Sequence, residues 1–211
     1  MSPERWANAA LLAGLAGFGL WAHLAGEPFL VTLATRAAIL ALAGVGLNLA
    51  LGLGGLVSLG HAAFFGIGGY ACGVLASHAQ SYVPIAEWPV TIEGTRSMPV
   101  VWLVAVVASA LAALAIGLLS LRTAGAYFIM VTLAFGQMFY YFAISWPAYG
   151  GEDGLPIYVR NEFPGLDTLD PLQFFALAFA LLLAALWLAR AVASSAFGHA
   201  LDAARQCPER V

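Results

Sequence analysis

Six long apolar stretches constrain this chain more than any other feature of its sequence. A helix needs about 20 mostly apolar residues to cross the hydrocarbon core of a bilayer, and six stretches reach or approach that length. They lie at roughly residues 6–26, 29–52, 56–77, 98–120, 124–146 and 171–190. Only 9% of the residues are charged, whereas soluble domains carry about 25%. We therefore predict an all-α, polytopic bundle of about six transmembrane helices.

The positions of the charged residues predict how the bundle is oriented. Cytoplasmic loops carry an excess of Lys and Arg, and all eight basic residues of this chain are arginines. With the N-terminus inside, five of them are cytoplasmic: Arg5, Arg122, Arg190, Arg205 and Arg210. Two others, Arg96 and Arg160, then lie outside together with most of the acidic residues. The pattern predicts that both ends are cytoplasmic, provided that every stretch crosses fully.

The segment Asn48 to Tyr70, "NLALGLGGLVSLGHAAFFGIGGY", is unusually rich in glycine for an apolar stretch. Glycine in a helix interior costs about 1 kcal/mol relative to alanine, so this density needs a structural reason. One interpretation is close helix packing through the pair Gly69 and Gly73, which has the spacing of a packing face. The other is a broken or re-entrant helix within 29–77, since irregular backbone at membrane depth lies beside protein or a water-filled cavity. The sequence leaves both open.

Isolated polar side chains within the apolar stretches are the candidates for a solute pathway. These candidates are Asn48, Ser58, His61 and Gln137, because intramembrane polar groups usually face a bundle interior or a pathway. For Asn48, His61 and Gln137 we favour the alternative that they pack between helices, since hydrogen bonds across helices are common in membranes. Arg36 lies eight residues after Pro28, so we expect its side chain to reach the outer interface.

Several classes of function are excluded or disfavoured by residues that the sequence lacks. The chain has no lysine, and a Walker A phosphate loop requires one. A net charge of -3 without a basic stripe disfavours nucleic acid as a partner. The two cysteines, Cys72 and Cys207, have no spacing typical of a disulfide framework or a zinc site. No nucleophile–base–acid set is evident, so we expect no catalytic residues, no metal and no cofactor bound by this chain.

Two long blocks of the sequence resemble a known family. "GLNLALGLGGLVSLGHAAFFGIGGY" is followed by "LRTAGAYFIMVTLAFGQMFYYF" and "GGEDGL", which is similar to the M-type permeases of branched-chain amino acid and urea-type ABC importers. The resemblance implies a bacterial inner-membrane subunit that works with a second permease subunit, cytoplasmic ATPase subunits and a periplasmic solute-binding protein. ATP would be bound by the partner subunits, and the solute would be small and polar, such as a branched-chain amino acid or urea.

The C-terminal run "SSAFGHALDAARQCPERV" resembles the cytoplasmic coupling segment of that family, a short helix that docks on the ATPase. The resemblance implies that Phe197 and Leu201 are apolar anchors and that Asp202 and Arg205 make polar contacts, and we expect the chain to turn at Gly198. Relatives continue with further membrane helices beyond the position of Val211. We therefore expect residues 1–190 to form the N-terminal part of a permease domain and 191–211 an incomplete coupling segment.

A secondary transporter or a channel is the alternative function. In such a protein Arg36, Asn48 and His61 would act directly as ion or proton groups. Transporters of this kind often contain internal repeats with paired broken helices, and the sequence has no convincing second copy of its glycine-rich block.

Overall fold

The computed structural model describes residues 3–55, 58–81, 84, 94–120, 123, 125–157 and 160–206. Helices make up most of this part of the chain, and its only bridge-type pairings are two isolated ones. The helices are α1 (Pro3–Leu24), α2 (Pro28–Asn48), α3 (His61–Ser81), α4 (Met98–Ser120), α5 (Ala126–Ile144), α6 (Pro171–Ala193) and α7 (Ala196–Gln206). The predicted all-α fold is confirmed.

Six of these helical segments are long and apolar enough to cross a membrane. They are Trp6–Leu24, Pro28–Leu53, His61–Ser81, Met98–Ser120, Tyr127–Ile144 and Pro171–Ala193. Each corresponds to one of the six stretches predicted from the sequence, so the polytopic helix bundle is confirmed.

Local chemistry explains where several helices begin and end. Proline occupies the first turn of α2 and α6, where its fixed φ suits the helix and its missing N–H is not needed. The Asp170 carboxylate accepts a hydrogen bond from the Leu172 amide at 3.0 Å and caps α6. Gly26 follows α1 with a φ of 72°, the left-handed conformation with which glycine commonly ends a helix.

The glycine-rich segment after α2 widens the helix before it ends. Residues Leu49–Leu53 form a π-helical turn that directly continues α2, and Gly55 then has a φ of 63°. A Cβ atom placed on Gly52 would lie 3.3 Å from the Asn48 side-chain oxygen, so the absence of a side chain there leaves room for Asn48. The helix is therefore distorted near Gly52, and whether 29–77 makes two full crossings stays a prediction.

The described structure divides into two compact units. The first comprises residues 1–56 and 167–211 and contains α1, α2, α6 and α7. Its core lies between α2 and α6, where small residues let the helices approach closely. The buried side chains recur at helical spacing and include Val31, Ala34 and Ala38 of α2 and Phe175, Ala178 and Leu182 of α6. Arg36 is exposed on α2.

The second unit comprises residues 57–166 and contains α3, α4 and α5. Helices α3 and α4 pack at Gly68, where a Cβ atom would lie 3.1 Å from the Ser109 hydroxyl oxygen. That hydroxyl donates a hydrogen bond to the Phe64 carbonyl at 3.1 Å. The glycine that allows this approach is thus Gly68, the residue next to the predicted Gly69.

Candidate functional site

A cleft of about 600 Å³ lies between α3 and α5 within the second unit. Its walls are almost entirely apolar, and the residues of the α3 wall recur at intervals of three and four, as expected for one helix face. The lining residues with polar side chains are Gln137, Tyr70 and Tyr140. The lining residues are Leu59, Ala62, Ala63, Gly66, Ile67, Tyr70, Ala71, Leu133, Gly136, Gln137, Phe139, Tyr140, Phe142 and Ala143.

A close crossing of two chain segments bounds one end of the cleft. A Cβ atom on Gly60 would lie 2.5 Å from the Thr132 carbonyl oxygen, and one on Gly136 would lie 3.7 Å from the Gly60 Cα. Gly60 is buried. Because the turn before α3 touches the backbone of α5, this position has no space for any side chain.

An aromatic bridge joins the two walls at the other end of the cleft. It consists of Tyr70 and His78 from α3, Phe142 from α5, and Trp146 and Tyr149 just beyond α5. Ring centroids are 5.2 Å apart for Phe142 and Trp146 and 4.9 Å for Trp146 and Tyr149. The Tyr70 hydroxyl donates a hydrogen bond to the Tyr149 carbonyl at 3.0 Å, and the Tyr149 hydroxyl lies 3.0 Å from Nε2 of His78. The bridge therefore connects α3 to α5 through polar as well as ring contacts.

The chain beyond the bridge packs back onto α3. A Cβ atom on the buried Gly73 would lie 2.7 Å from Cδ2 of Leu155, so this glycine makes room for the leucine. Gly150, Gly151 and Gly154 have φ angles of 89°, 51° and 79°, a region that side-chain-bearing residues seldom adopt. The sequence "GGEDGL" thus forms a tight, glycine-dependent path against α3.

The four predicted pathway residues do not lie together in the structure. Gln137 lines the cleft, whereas Ser58 and His61 are half-buried near the Gly60 crossing and do not line it. The His61 ring lies edge-on to Phe64, with centroids 6.3 Å apart. Asn48 belongs to the first unit, where it lines a second cavity of about 540 Å³ with Asn8 and Arg190. Roles in a pathway stay predictions for all four.

The two glycines predicted to form a packing face, Gly69 and Gly73, have different neighbours. The neighbours of Gly73 belong to the segment around Leu155 rather than to a helix, and within the described residues no atom lies within 4 Å of a Cβ on Gly69. A helix–helix contact at the pair therefore stays a prediction.

The predicted coupling segment forms the helix α7. Ser195 precedes it, and its hydroxyl and carbonyl oxygens accept hydrogen bonds from the Gly198 and His199 amides at 3.3 and 3.1 Å. The Phe197 side chain is 65% exposed, Asp202 is exposed, and Leu201 is half-buried. The side chain of Arg205 lies outside the described part of the structure.

Gly198 lies inside α7 and not in a turn before it. It is a buried member of α7, and a Cβ there would lie 2.5 Å from the Ala193 carbonyl oxygen. The residue therefore supplies space for α7 to approach the end of α6, and it does not act through an unusual backbone angle.

The aromatic bridge and the Gly60 crossing were not predicted from the sequence. The bridge contains an aromatic residue on each side of Pro147, in "SWPAY", and two polar rings on α3 about two helical turns apart. The aromatic pair around Pro147 and the two polar rings along α3 are the signal that could have indicated it. In the described residues no group of three or more His, Cys, Asp or Glu side chains could hold a metal ion.

Comparisons with known proteins agree with this architecture. The chain matches the family described as "Branched-chain amino acid transport system / permease component" over residues 29–211. It is 34% identical over 116 residues to the high-affinity branched-chain amino acid transport system permease protein LivM of Salmonella typhimurium. It is 33% identical over the same length to the LivM protein of Escherichia coli K12.

Each alignment covers 53% of this chain and 24% of the relative. No solved structure matches the chain. The family match spans most of the sequence and five of the six candidate membrane helices. The chain belongs to the family of branched-chain amino acid transport permease components.

Proposed function

We propose that this chain is a transmembrane subunit of an ABC importer for branched-chain amino acids or related small polar solutes in a bacterial inner membrane. The observation that carries the proposal is the family match over residues 29–211. The six membrane-length helices agree with it. Because the chain has no lysine for a Walker A loop, the ATP would be bound by separate ATPase subunits. A second permease subunit and a periplasmic solute-binding protein would complete the importer.

Co-purification tests this assignment. The full-length product of the gene, tagged and solubilised in mild detergent, is expected to retain ATPase subunits encoded beside it. A protein that purifies without any ATPase, under conditions that preserve its own fold, would contradict the assignment.

The cleft between α3 and α5 is the best-supported part of a solute pathway. Its volume of about 600 Å³ falls in the range of small-molecule sites, about 300–1,000 Å³. Its apolar walls suit an aliphatic side chain, whereas Gln137 provides hydrogen-bonding groups for the polar end of a solute. We propose that a solute passes along this cleft and that Gln137 contacts it.

Replacing Gln137 with leucine tests that contact. The loss of one hydrogen bond, worth about 1 kcal/mol, should raise the solute concentration for half-maximal uptake about fivefold and leave the maximal rate nearly unchanged. The matched control is Met138→Leu, an exposed position on the same helix that does not line the cleft. Equal half-maximal concentrations for Gln137→Leu and the parent protein would exclude Gln137 as a solute contact.

The helix α7 is the proposed docking surface for an ATPase subunit. Its Phe197 side chain is 65% exposed although it follows a membrane helix directly, and Asp202 is exposed on the same short helix. An exposed aromatic anchor with a polar rim is the usual composition of an interface hot spot.

We propose that both ends are cytoplasmic, as the distribution of arginines predicts. The exposed carboxylates of Glu152 and Asp153 would then face the periplasm and offer a contact for the solute-binding protein. In a background with Cys72→Ala and Cys207→Ala, an impermeant maleimide should label Glu152→Cys in intact spheroplasts. Ala200→Cys should react only after the membrane is permeabilised. Labelling of Ala200→Cys in intact spheroplasts would reverse the orientation.

A further inference from the structure

Tyr70 belongs to two parts of the second unit at once. Its ring lines the cleft between α3 and α5, and its hydroxyl donates a hydrogen bond to the Tyr149 carbonyl at 3.0 Å. The Tyr149 ring contacts Trp146, and the Trp146 ring contacts Phe142. Phe142 lies in the opposite wall of the cleft. Tyr70 is thus both a residue of the cleft wall and the donor that holds the Tyr149 carbonyl.

A phenol hydroxyl has one proton to donate. It can bond the Tyr149 carbonyl or an acceptor inside the cleft, and it cannot fully satisfy both. A carboxylate is the stronger acceptor, because hydrogen bonds to ionised groups are roughly twice as strong as neutral ones. A solute that carries a carboxylate would therefore compete well with the Tyr149 carbonyl.

The segment that this bond holds contains three glycines, which can adopt other backbone conformations at low steric cost. After Tyr149 the chain passes through Gly150, Gly151 and Gly154, all with positive φ, and glycine changes backbone conformation at the least steric cost. The segment is also held by the contact of the Tyr149 hydroxyl with His78, by the ring contact of Trp146 with Phe142 and by the packing of Leu155 at Gly73. The Tyr70 bond is a polar contact between this segment and a residue that lines the cleft.

We propose that Tyr70 is a positioning residue that links occupancy of the cleft to the segment 146–155. With the cleft empty, its hydroxyl holds the Tyr149 carbonyl and the aromatic bridge covers the end of the cleft. When the carboxylate of an amino acid takes the Tyr70 proton, the segment loosens and that end opens. The inference rests on the proposed function, because it takes the cleft as a solute pathway.

Hydrogen exchange of the assembled, full-length complex tests the link, with L-leucine as the probe. The reporters are the Gly150, Gly151 and Asp153 amides, which donate to the Pro147, Trp146 and Gly150 carbonyls. Tyr70→Phe removes only the hydroxyl and should raise their exchange about fivefold, as expected for one net hydrogen bond. The matched control is Tyr127→Phe, a tyrosine that is 72% exposed, and it should change nothing. Amides of α4 serve as an internal reference for the fold.

The response to L-leucine distinguishes two roles of the Tyr70 hydrogen bond: one that depends on occupancy of the cleft, and one that only holds the segment 146–155 in place. L-leucine should raise exchange of the segment in the parent complex and have no effect in Tyr70→Phe. Tyr149→Phe should raise the basal exchange but keep the leucine response, because it retains the Tyr70 bond to the carbonyl. Unchanged exchange in Tyr70→Phe would overturn the proposal, as would a complex that takes up L-leucine yet shows no leucine response. A complex that takes up no amino acid would overturn this inference, because no carboxylate would then enter the cleft, whereas co-purification of the ATPase tests the proposed function separately.

Discussion

Gly60→Ala should destabilise the second unit substantially, although it adds a single methyl group. That methyl carbon would lie 2.5 Å from the Thr132 carbonyl oxygen and 3.1 Å from the carbonyl carbon. The obstacle is backbone, so the turn before α3 has to move away from α5. Overpacking of this kind typically costs about 1–3 kcal/mol. We expect a clear fall in the thermal unfolding temperature in detergent, and a larger fall for Gly60→Leu.

Gly66→Ala is the matched control for this prediction. Gly66 lies in α3, and no atom of the described residues lies within 4 Å of a Cβ placed there. The change should be neutral or slightly stabilising, because alanine favours a helix by about 1 kcal/mol over glycine. If Gly60→Ala and Gly66→Ala unfold at the same temperature as the parent protein, the crossing of α3 and α5 is not as close as described here.

Phe197→Asp should release the ATPase subunit while leaving the membrane helices folded. The side chain is 65% exposed, so its replacement removes little packing within this chain. If it is the central anchor of the docking surface, its loss costs about 2 kcal/mol or more, which corresponds to roughly 30-fold weaker binding. The measurement is the amount of ATPase that co-purifies with the tagged permease at limiting concentration.

His199→Ala distinguishes docking from a general effect on α7. His199 is exposed on the same helix, two residues after Phe197 and therefore on a different face. It should retain the ATPase at the parent level. Retention of the ATPase by Phe197→Asp as well would remove Phe197 from the interface and leave it as an anchor in the lipid headgroups.

The membrane helices were predictable because their signal is local. A run of about 20 apolar residues is long enough to cross a bilayer, and the stretches predicted to begin at residues 98 and 171 begin at those positions in the structure. The third span begins at His61 instead of residue 56, because Gly60 lies in the turn that contacts Thr132. Hydropathy alone carries no information about that contact.

The spacing of the glycines in α3 did not predict which of them contact a neighbouring segment. Helix α3 contains Gly66, Gly68, Gly69 and Gly73, which together occupy several faces. A G-x-x-x-G pattern therefore does not determine which face meets a neighbour. The structure places Gly68 against α4 and Gly73 against Leu155, and both outcomes depend on partners distant in sequence.

The candidate site was predictable only in part, because many of its contacts join residues that are distant in sequence. Gln137 was a pathway candidate for which a packing role was favoured; it lines the cleft, and its role in a pathway stays a prediction. Most of the cleft wall consists of small and apolar residues. The aromatic bridge joins residues 79 and 71 positions apart, Tyr70 to Tyr149 and His78 to Tyr149. Contacts of such range follow from the tertiary packing of α3 and α5 and leave no periodic pattern in the sequence.

ATP-driven uptake tests the central claim most directly. The full-length permease, its partner permease and the ATPases would be reconstituted in liposomes, with the solute-binding protein outside and ATP inside. We predict that radiolabelled L-leucine, or the related solute that the binding protein carries, accumulates above its external concentration only when both ATP and the binding protein are present. Accumulation driven by a proton or sodium gradient without ATP would contradict the account and support a secondary transporter.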